Sequence, residues 1–461
     1  MSFPEQRANA IKELATDLGL DFFETIFEIV PFDIMVEIAA YGLPTRAQHW
    51  SYGKVYNRER IHGQMGLSKI YEIVLNNIPA YAFLLDTNSD VTNLLVAAHV
   101  YAHVDFFKNN IYFADTNRNM VNEAVEHAIL IDEFIEKYGL EAVEHVMDIG
   151  FAVDRHVDVH KGLQRKPYPP RQVVEQVRKV KEYEDIFGDD AFMVSRAVVG
   201  GKMPPHPEKD LLWFLATYAP IEPWEQSVLE IIRKESMYFY PQFETKILNE
   251  GWASYWHAEV INHYLLTPGE MIEFGVLHSD VVNPGGRMGV NPYYLGYKIL
   301  VDIEKRWDKM YADGESKITG KQKIFEIRTL ENDVSFLRNY LTKELAEKLE
   351  LFTYGYACDH HPHNKRLCPK CGEIAVKSRS LDDVVESLIA TRFNYGVPRI
   401  LIREISSDGT MYLEQERSDH RGLDMKYSQK TIDYVHQLWK RPVHMVARNE
   451  QMKEVTIRSS T

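Results

Sequence analysis

Two histidines, His99 and His103, stand four residues apart in the stretch LLVAAHVYAHVDFFKNN, residues 94–110. Four residues is a little over one helical turn, so on a helix both imidazoles leave from the same face. That face also carries Leu95, Val96, Phe106 and Phe107, which predicts that the pair is buried. A His-x-x-x-His pair is either a metal platform or two core histidines satisfied by hydrogen bonds. A second set follows in NEGWASYWH, residues 249–257, where Ile247, Glu250, Ser254, His257 and Ile261 share one helical face. His99, His103 and Glu250 together form a His, His, Glu set, the ligand type of a catalytic zinc with one position open. His257 is then a fourth ligand or a partner that orients Glu250. Without a metal, Glu250 reads as a buried acid near a helix start, held by hydrogen bonds.

One piece of the usual chemistry is missing. Peptidases with His-Glu-x-x-His place a general base directly after the first histidine, and here that position is Val100. Glu123 or Glu126, on the next predicted helix, is the expected substitute, and otherwise no hydrolysis takes place. Glu123 and His127 also share the four-residue spacing and could add a second ligand pair, although one metal is preferred over two. The loop HSDVVNPGGRMGVNPYYLGY, residues 278–297, offers Arg287 for an anionic or carbonyl group and Tyr293 as an oxyanion donor. Tyr293 and Tyr294 can equally well start the next helix. Arg46 and His49 are further candidates in the loop 42–56. All three cysteines, Cys358, Cys368 and Cys371, fall in CDHHPHNKRLCPKC with His360, His361 and His363. Cys-x-x-Cys is half of a tetrahedral zinc site, which Cys358 and one histidine, taken as His361, would complete as a closed structural site. The alternative is a surface loop with incidental thiols.

The elements that must position these groups follow from the pattern. Amphipathic helices are expected over 4–19 and, less regularly, 21–43, with a third over 66–77. IPAYAFLLD, 78–86, reads as a strand leading directly into the histidine helix. Helices are expected over 116–138, 141–160, 247–266 and from Tyr293 onward. Residues 161–209, rich in Pro, Lys and Gly, read as a surface excursion or lid. A helix over 333–349 is followed by strands at 352–358 and 373–380 around the cysteines. The remainder alternates helix, strand, an Asp408-Gly409 hairpin turn, strand, helix and strand. The expected class is α+β, mainly helical. A helical body with a short sheet would span 1–325, and a small α+β domain 326–461.

Composition limits the partners. The 461 residues are 45% hydrophobic and 26% charged, with a net charge of −14, which argues against nucleic acid as a partner. No apolar run reaches the length of a membrane helix. The N-terminal stretch MSFPEQRANAIKELATDLGL has no apolar core of signal-peptide length. Three cysteines argue against a disulfide framework, and the expected location is the cytoplasm.

The chain resembles the stage V sporulation protein R (SpoVR) family over nearly its whole length. The segments that carry the resemblance are AAYGLPTRAQHWSYGK, GLSKIYEIVLNNIPAYAFLLDTN, AHVYAHVDFFKNN, TNRNMV, ILNEGWASYWHAEV and NPYYLGYKILVDIE. The resemblance implies a role in sporulation and in formation of the spore cortex, and it leaves the reaction open. A more remote resemblance concerns mechanism. The order strand, His-x-x-x-His helix, Glu-Gly-Trp-Ala, then Pro-Tyr-Tyr-Leu-Gly-Tyr-Lys-Ile is similar to that of gluzincin-type zinc peptidases. It implies a zincin-like body with Zn2+ held by His99, His103 and Glu250, and a peptide-like substrate or cell-wall component. Val100 departs from that pattern at the base. The competing expectation is a non-catalytic regulator or scaffold whose cleft binds a partner protein.

Overall fold

The run from Asp90 to Asn109 has what a buried helix needs: a serine before it, no proline or glycine within it, and apolar residues all round. In the computed structural model it is one helix, with the Ser89 hydroxyl accepting from the Thr92 backbone N–H at 3.1 Å. Every residue from Val91 to Phe107 is buried, so this helix is the core of its surroundings, not a cover over them. The structure describes residues 5–64, 72–169, 172–179, 192–199, 202–356, 373–419 and 421–460.

Contacts group the chain into two units, Met1–Glu136 with Tyr238–Val397, and Lys137–Met237 with Pro398–Thr461. The first unit opens with α1 (Glu5–Asp17), β1 (Thr25–Val30), α2 (Phe32–Tyr41) and α3 (Trp50–Gln64), then β2 (Glu72–Leu75), β3 (Ala80–Leu85), α4 (Asp90–Asn109) and α5 (Met120–Tyr138). The second unit takes α6 (Leu140–Ala152), the strands β4 (Gln172–Lys179) and β5 (Phe192–Val199), and α7 (Leu211–Tyr218); α8 (Pro223–Glu244) follows. The chain then returns to the first unit with α9 (Lys246–His263), α10 (Pro268–Val281), the two-residue strands β6 and β7 (Gly285–Gly286, Gly289–Val290) and α11 (Pro292–Ala312). Next come α12 (Gly320–Leu330), α13 (Asp333–Tyr340), α14 (Lys343–Lys348), β8 (Thr353–Tyr356), β9 (Ile374–Ser378) and α15 (Leu381–Ala390). The second unit closes with β10 (Ile400–Ile405), β11 (Met411–Gln415), α16 (Met425–Trp439), β12 (Val443–Arg448) and β13 (Glu454–Arg458). The class is mainly helical α+β, as the sequence predicts.

In the first unit a three-stranded sheet has the order β1-β3-β2, with β1 parallel and β2 antiparallel to β3. The strand expected at 78–86 is the central one. Ala80, Ala82 and Leu84 point to one side, where Val96, Val100 and Val104 of α4 pack on them. The period of two in the strand thus meets a period of four in the helix. The opposite side of α4 meets α9, whose Trp252 and Trp256 are fully buried. Asp105 ties these parts together: it accepts from the Asp21 backbone N–H at 2.8 Å, Trp252 Nε1 at 2.9 Å and Arg328 at 3.2 Å.

Several sequence expectations change. Residues 21–43 are a strand and a helix separated at Pro31, because TIFEIV alternates and pairs with β3. Part of 66–77 is β2, an edge strand, where a helix was expected. The helix expected over 333–349 breaks at Leu341, and Thr342 caps a new start. The stretch 161–209 contains the antiparallel pair β4–β5. The division expected near residue 325 also differs from the observed grouping. Residues 326–397 stay with the first unit because the buried Asp333 carboxylate accepts the Ile247 and Leu248 backbone N–H groups at 2.9 Å, closing the start of α9. The C-terminal hairpin β10–β11 forms as expected across Asp408-Gly409, within a sheet of order β10-β11-β12-β13.

Candidate metal centre

Packing fixes which way the two histidines face. With Val96, Val100 and Val104 against the sheet, His99 and His103 turn toward α9 and meet Glu250. Glu250 Oε2 lies 3.4 Å from His99 Nε2 and 3.3 Å from His103 Nε2. Donor atoms sharing a tetrahedral zinc at ordinary bond lengths stand about 3.3–3.5 Å apart. All three side chains are buried, and among the described residues they are the group of His, Cys, Asp and Glu that could hold a metal. His99 Nε2 and Glu250 Oε2 are both buried without a hydrogen-bond partner of normal geometry. A buried polar atom left in that condition costs about 1–3 kcal/mol, and here two of them face each other.

The remaining atoms of the three residues are occupied, and in the sense that coordination needs. His103 Nδ1 lies 2.9 Å from Asn249 Oδ1. An amide oxygen only accepts, so Nδ1 carries the hydrogen and a neutral ring presents the Nε2 lone pair to Glu250. His99 Nδ1 lies 3.0 Å from His257 Nδ1, and His257 Nε2 lies 2.8 Å from His278 Nδ1. If His99 also presents a lone pair at Nε2, it donates to His257, which donates in turn to His278. Lys246 holds the other Glu250 oxygen at 2.5 Å. His257 therefore has both nitrogens engaged, and the ring it meets is that of His99, where an expected contact was Glu250.

The three groups also set one another's charge. Burial alone would raise the Glu250 carboxyl, but Lys246 and His103 hold it well below the usual carboxylate range. Burial would lower His103, and Glu250 outweighs it, so this imidazole lies above its ordinary value. His257 is pushed well below its ordinary value by burial and by the neighbouring histidines, which keeps it neutral. Tyr293 stacks on His99, rings 5.9 Å apart and 17° from parallel. Burial, then the charges of Glu250 and Glu72, hold its hydroxyl far above the ordinary tyrosine range.

The acid beside the pair is Glu72, on β2. Its Oε1 lies 3.8 Å from His99 Nε2, and burial raises its carboxyl above the ordinary value. Glu72 and Val74 alternate with Ile73, so the strand turns both toward α4. Glu123 and Glu126 do not take this place: Glu126 is exposed, Glu123 half-buried, and among the described residues neither contacts His99, His103 or Glu250. Their helix instead buries Met120 and Ala124 against Leu43 and Tyr238. His127 is buried on α5. Arg287 is exposed and stands over the Tyr354 ring, 5.9 Å from its centre, rather than beside His99, His103 and Glu250. Arg46 and His49 are engaged locally, with Tyr41 and Ser51. Cys358, His361, Cys368 and Cys371, with His360 and His363, lie outside the described residues. Glu72, Asn249, Lys246 and His278 were not anticipated. Asn249 and Lys246 adjoin Glu250 in sequence, whereas Glu72 is brought in by strand register alone.

Among the described residues no helix is long and apolar enough to cross a membrane. Residues 4–367 match the model of the family described as SpoVR like protein, and the chain belongs to that family. A relative, the uncharacterized protein YcgB of Escherichia coli (strain K12), is 28% identical over 480 positions, covering 95% of this chain and 91% of its own. No solved structure matches.

Proposed function

We propose that this SpoVR-family chain is a cytoplasmic sporulation protein that acts in spore cortex formation as a metal-dependent hydrolase on a peptide-like cell-wall component. The observation that most supports the reading is the convergence of buried, partnerless His99 Nε2 and Glu250 Oε2 with His103 Nε2 at coordination spacing. Two imidazoles and a carboxylate suit zinc, which would supply Lewis acidity with a position left open. His99, His103 and Glu250 would hold it, while Asn249 and His257 fix the two rings. Glu72 takes the role that Val100 leaves vacant, holding a proton at Oε1 from a strand instead of from the helix. Tyr293 keeps its proton and is suited to donate to a developing negative charge. The spacing of Cys358, Cys368 and Cys371 with His361 supports a second, structural zinc.

Metal analysis of the purified chain is the test. We expect His99→Ala/His103→Ala to lose one equivalent of zinc with its circular dichroism unchanged; wild-type protein without metal, or a variant that keeps its full content, overturns the site. Glu72→Gln should retain the metal and lower sporulation activity by about 10²-fold or more, the usual contribution of a general base. A chain that only docks a partner protein in this cleft would tolerate Glu72→Gln, and that result would rule out the hydrolase.

A further inference from the structure

Arg287, away from the metal ligands, has a different neighbourhood, and it is built. The ribbon β8–β9 carries Tyr354 opposite Val376, and Phe352 precedes it. Two adjoining cavities of about 320 and 600 Å³ share Arg287, Phe352 and Tyr354 in their walls. Volumes of this order are those of small-molecule sites, which combine apolar walls with a few convergent polar groups. The inner cavity has apolar walls from Ile247, Leu295, Val384 and Leu388, with Thr353, Ser387 and Thr391 adding hydroxyls. Among the described residues its charged lining is Arg287 and Arg392, with no carboxylate.

The outer cavity adds Arg379, whose guanidinium lies 4.6 Å from the centre of the Phe352 ring, as Arg287 lies over Tyr354. Among the described residues neither Arg287 nor Arg379 meets a carboxylate within ion-pair distance. Glu347 and Glu350 also line the outer cavity. Glu347 is drawn toward Lys343 at 3.9 Å. Among the described residues the combined lining is three arginines against two glutamates, in a chain whose net charge is −14. A guanidinium resting on an aromatic ring keeps its edge free for a planar, two-oxygen anion.

We propose that this double cavity binds an organic carboxylate with an apolar body. The carboxylate sits between Arg287 and Arg379, and the apolar body enters the inner cavity between Ile247, Leu295 and Leu388. The site does not depend on a metal at His99, His103 and Glu250, and it stands or falls separately.

The test uses 8-anilinonaphthalene-1-sulfonate, an aryl anion, as a fluorescent probe with the purified chain. Saturable binding at one site is expected. Arg287→Ala/Arg379→Ala should weaken it at least tenfold with an unchanged circular dichroism spectrum, and Ser387→Trp, which fills the inner cavity, should do the same. Octanoate should displace the probe, while sodium sulfate at the same concentration should not. Absence of saturable binding, equal binding by the double-arginine variant, or displacement by sulfate as effective as by octanoate overturns the proposal. Because both arginines are exposed and lie outside helices and strands, the double variant is informative even if Ser387→Trp fails to fold.

Discussion

Both ring nitrogens of His257 are engaged, and that decides its role. One ring nitrogen meets His99 and the other meets His278, so any contribution to a metal would be made through the His99 ring. Asn249 plays the same part for His103. Removing such partners commonly lowers metal affinity by about 10–100-fold. Asn249→Ala and His257→Ala should each show that loss in a zinc competition titration against a chelator, with one equivalent still bound at saturation. Unchanged affinity in both would mean that the rings need no orienting. The clustering of His99, His103 and Glu250 was legible from residue type and spacing, since i and i+4 on one helix and a carboxylate on a second leave few other arrangements. Glu72 was not, because nothing in YEIVL distinguishes an acid aimed at a histidine from one aimed at solvent. Val100 explains the difference: its position on α4 faces β3, where an acid would be buried under the sheet.

Between elements, the decisive contact is backbone against backbone. A Cβ on Gly251 would stand 2.4 Å from the Gly296 main chain, and one on Gly296 would stand 2.1 Å from the Ile247 carbonyl oxygen. Glycine at both positions lets α9 and α11 touch, and this brings Tyr293, at the first turn of α11, over His99. Gly296→Ala should therefore destabilise the chain by about 3 kcal/mol, as overpacking of a rigid contact does. It should also weaken zinc binding, because α11 can relieve the clash only by moving away; thermal unfolding and the chelator titration check the two effects. The sequence shows Glu-Gly-Trp-Ala and Tyr-Leu-Gly-Tyr as unusual strings, and a glycine inside a helix signals close approach. Which glycine meets which is a tertiary fact. Short elements were the least legible, as β1 and β2 show: four to six residues acquire their state from the strand beside them.

The whole molecule is organised by a chain that leaves the first unit after residue 136, returns at 238 and leaves again after 397. The C-terminal sheet was foreseen from its alternation and its Asp-Gly turn, but its partnership with 137–237 was not, since no local pattern announces a distant one. That partnership rests partly on Glu208. Its backbone pairs with Ile402 in both directions, at 2.8 and 3.0 Å. Its buried carboxylate receives Arg165 at 2.6 Å, Lys161 at 3.1 Å, and the Tyr168 hydroxyl. Burial alone would raise this carboxyl, yet Arg165, Tyr168 and the Asp210 backbone N–H hold it at about 2. A folded value below the unfolded one stabilises fully above pH 4.5, and that contribution is lost as pH falls from 4.5 toward 2. It amounts to about 3 kcal/mol. Urea unfolding followed from pH 7 to pH 3 should show Glu208→Gln less stable at neutral pH and flatter in its pH dependence than wild type. Parallel curves would assign the acid sensitivity elsewhere.

The interleaving has a consequence in time. His103 and the Asn249 that orients it are 146 residues apart, and most of the intervening chain belongs to the other unit. At about 5–20 residues per second, a ribosome needs about 7–30 s to make that stretch. For that interval the nascent chain carries an apolar helix with two histidines and no carboxylate from α9 to face them. The first unit cannot close its core until Trp252 and Trp256 have been synthesised, and it cannot be recovered by cutting the chain at one point. The centre is thus a late product of synthesis, assembled from the two ends of a loop whose middle folds as something else.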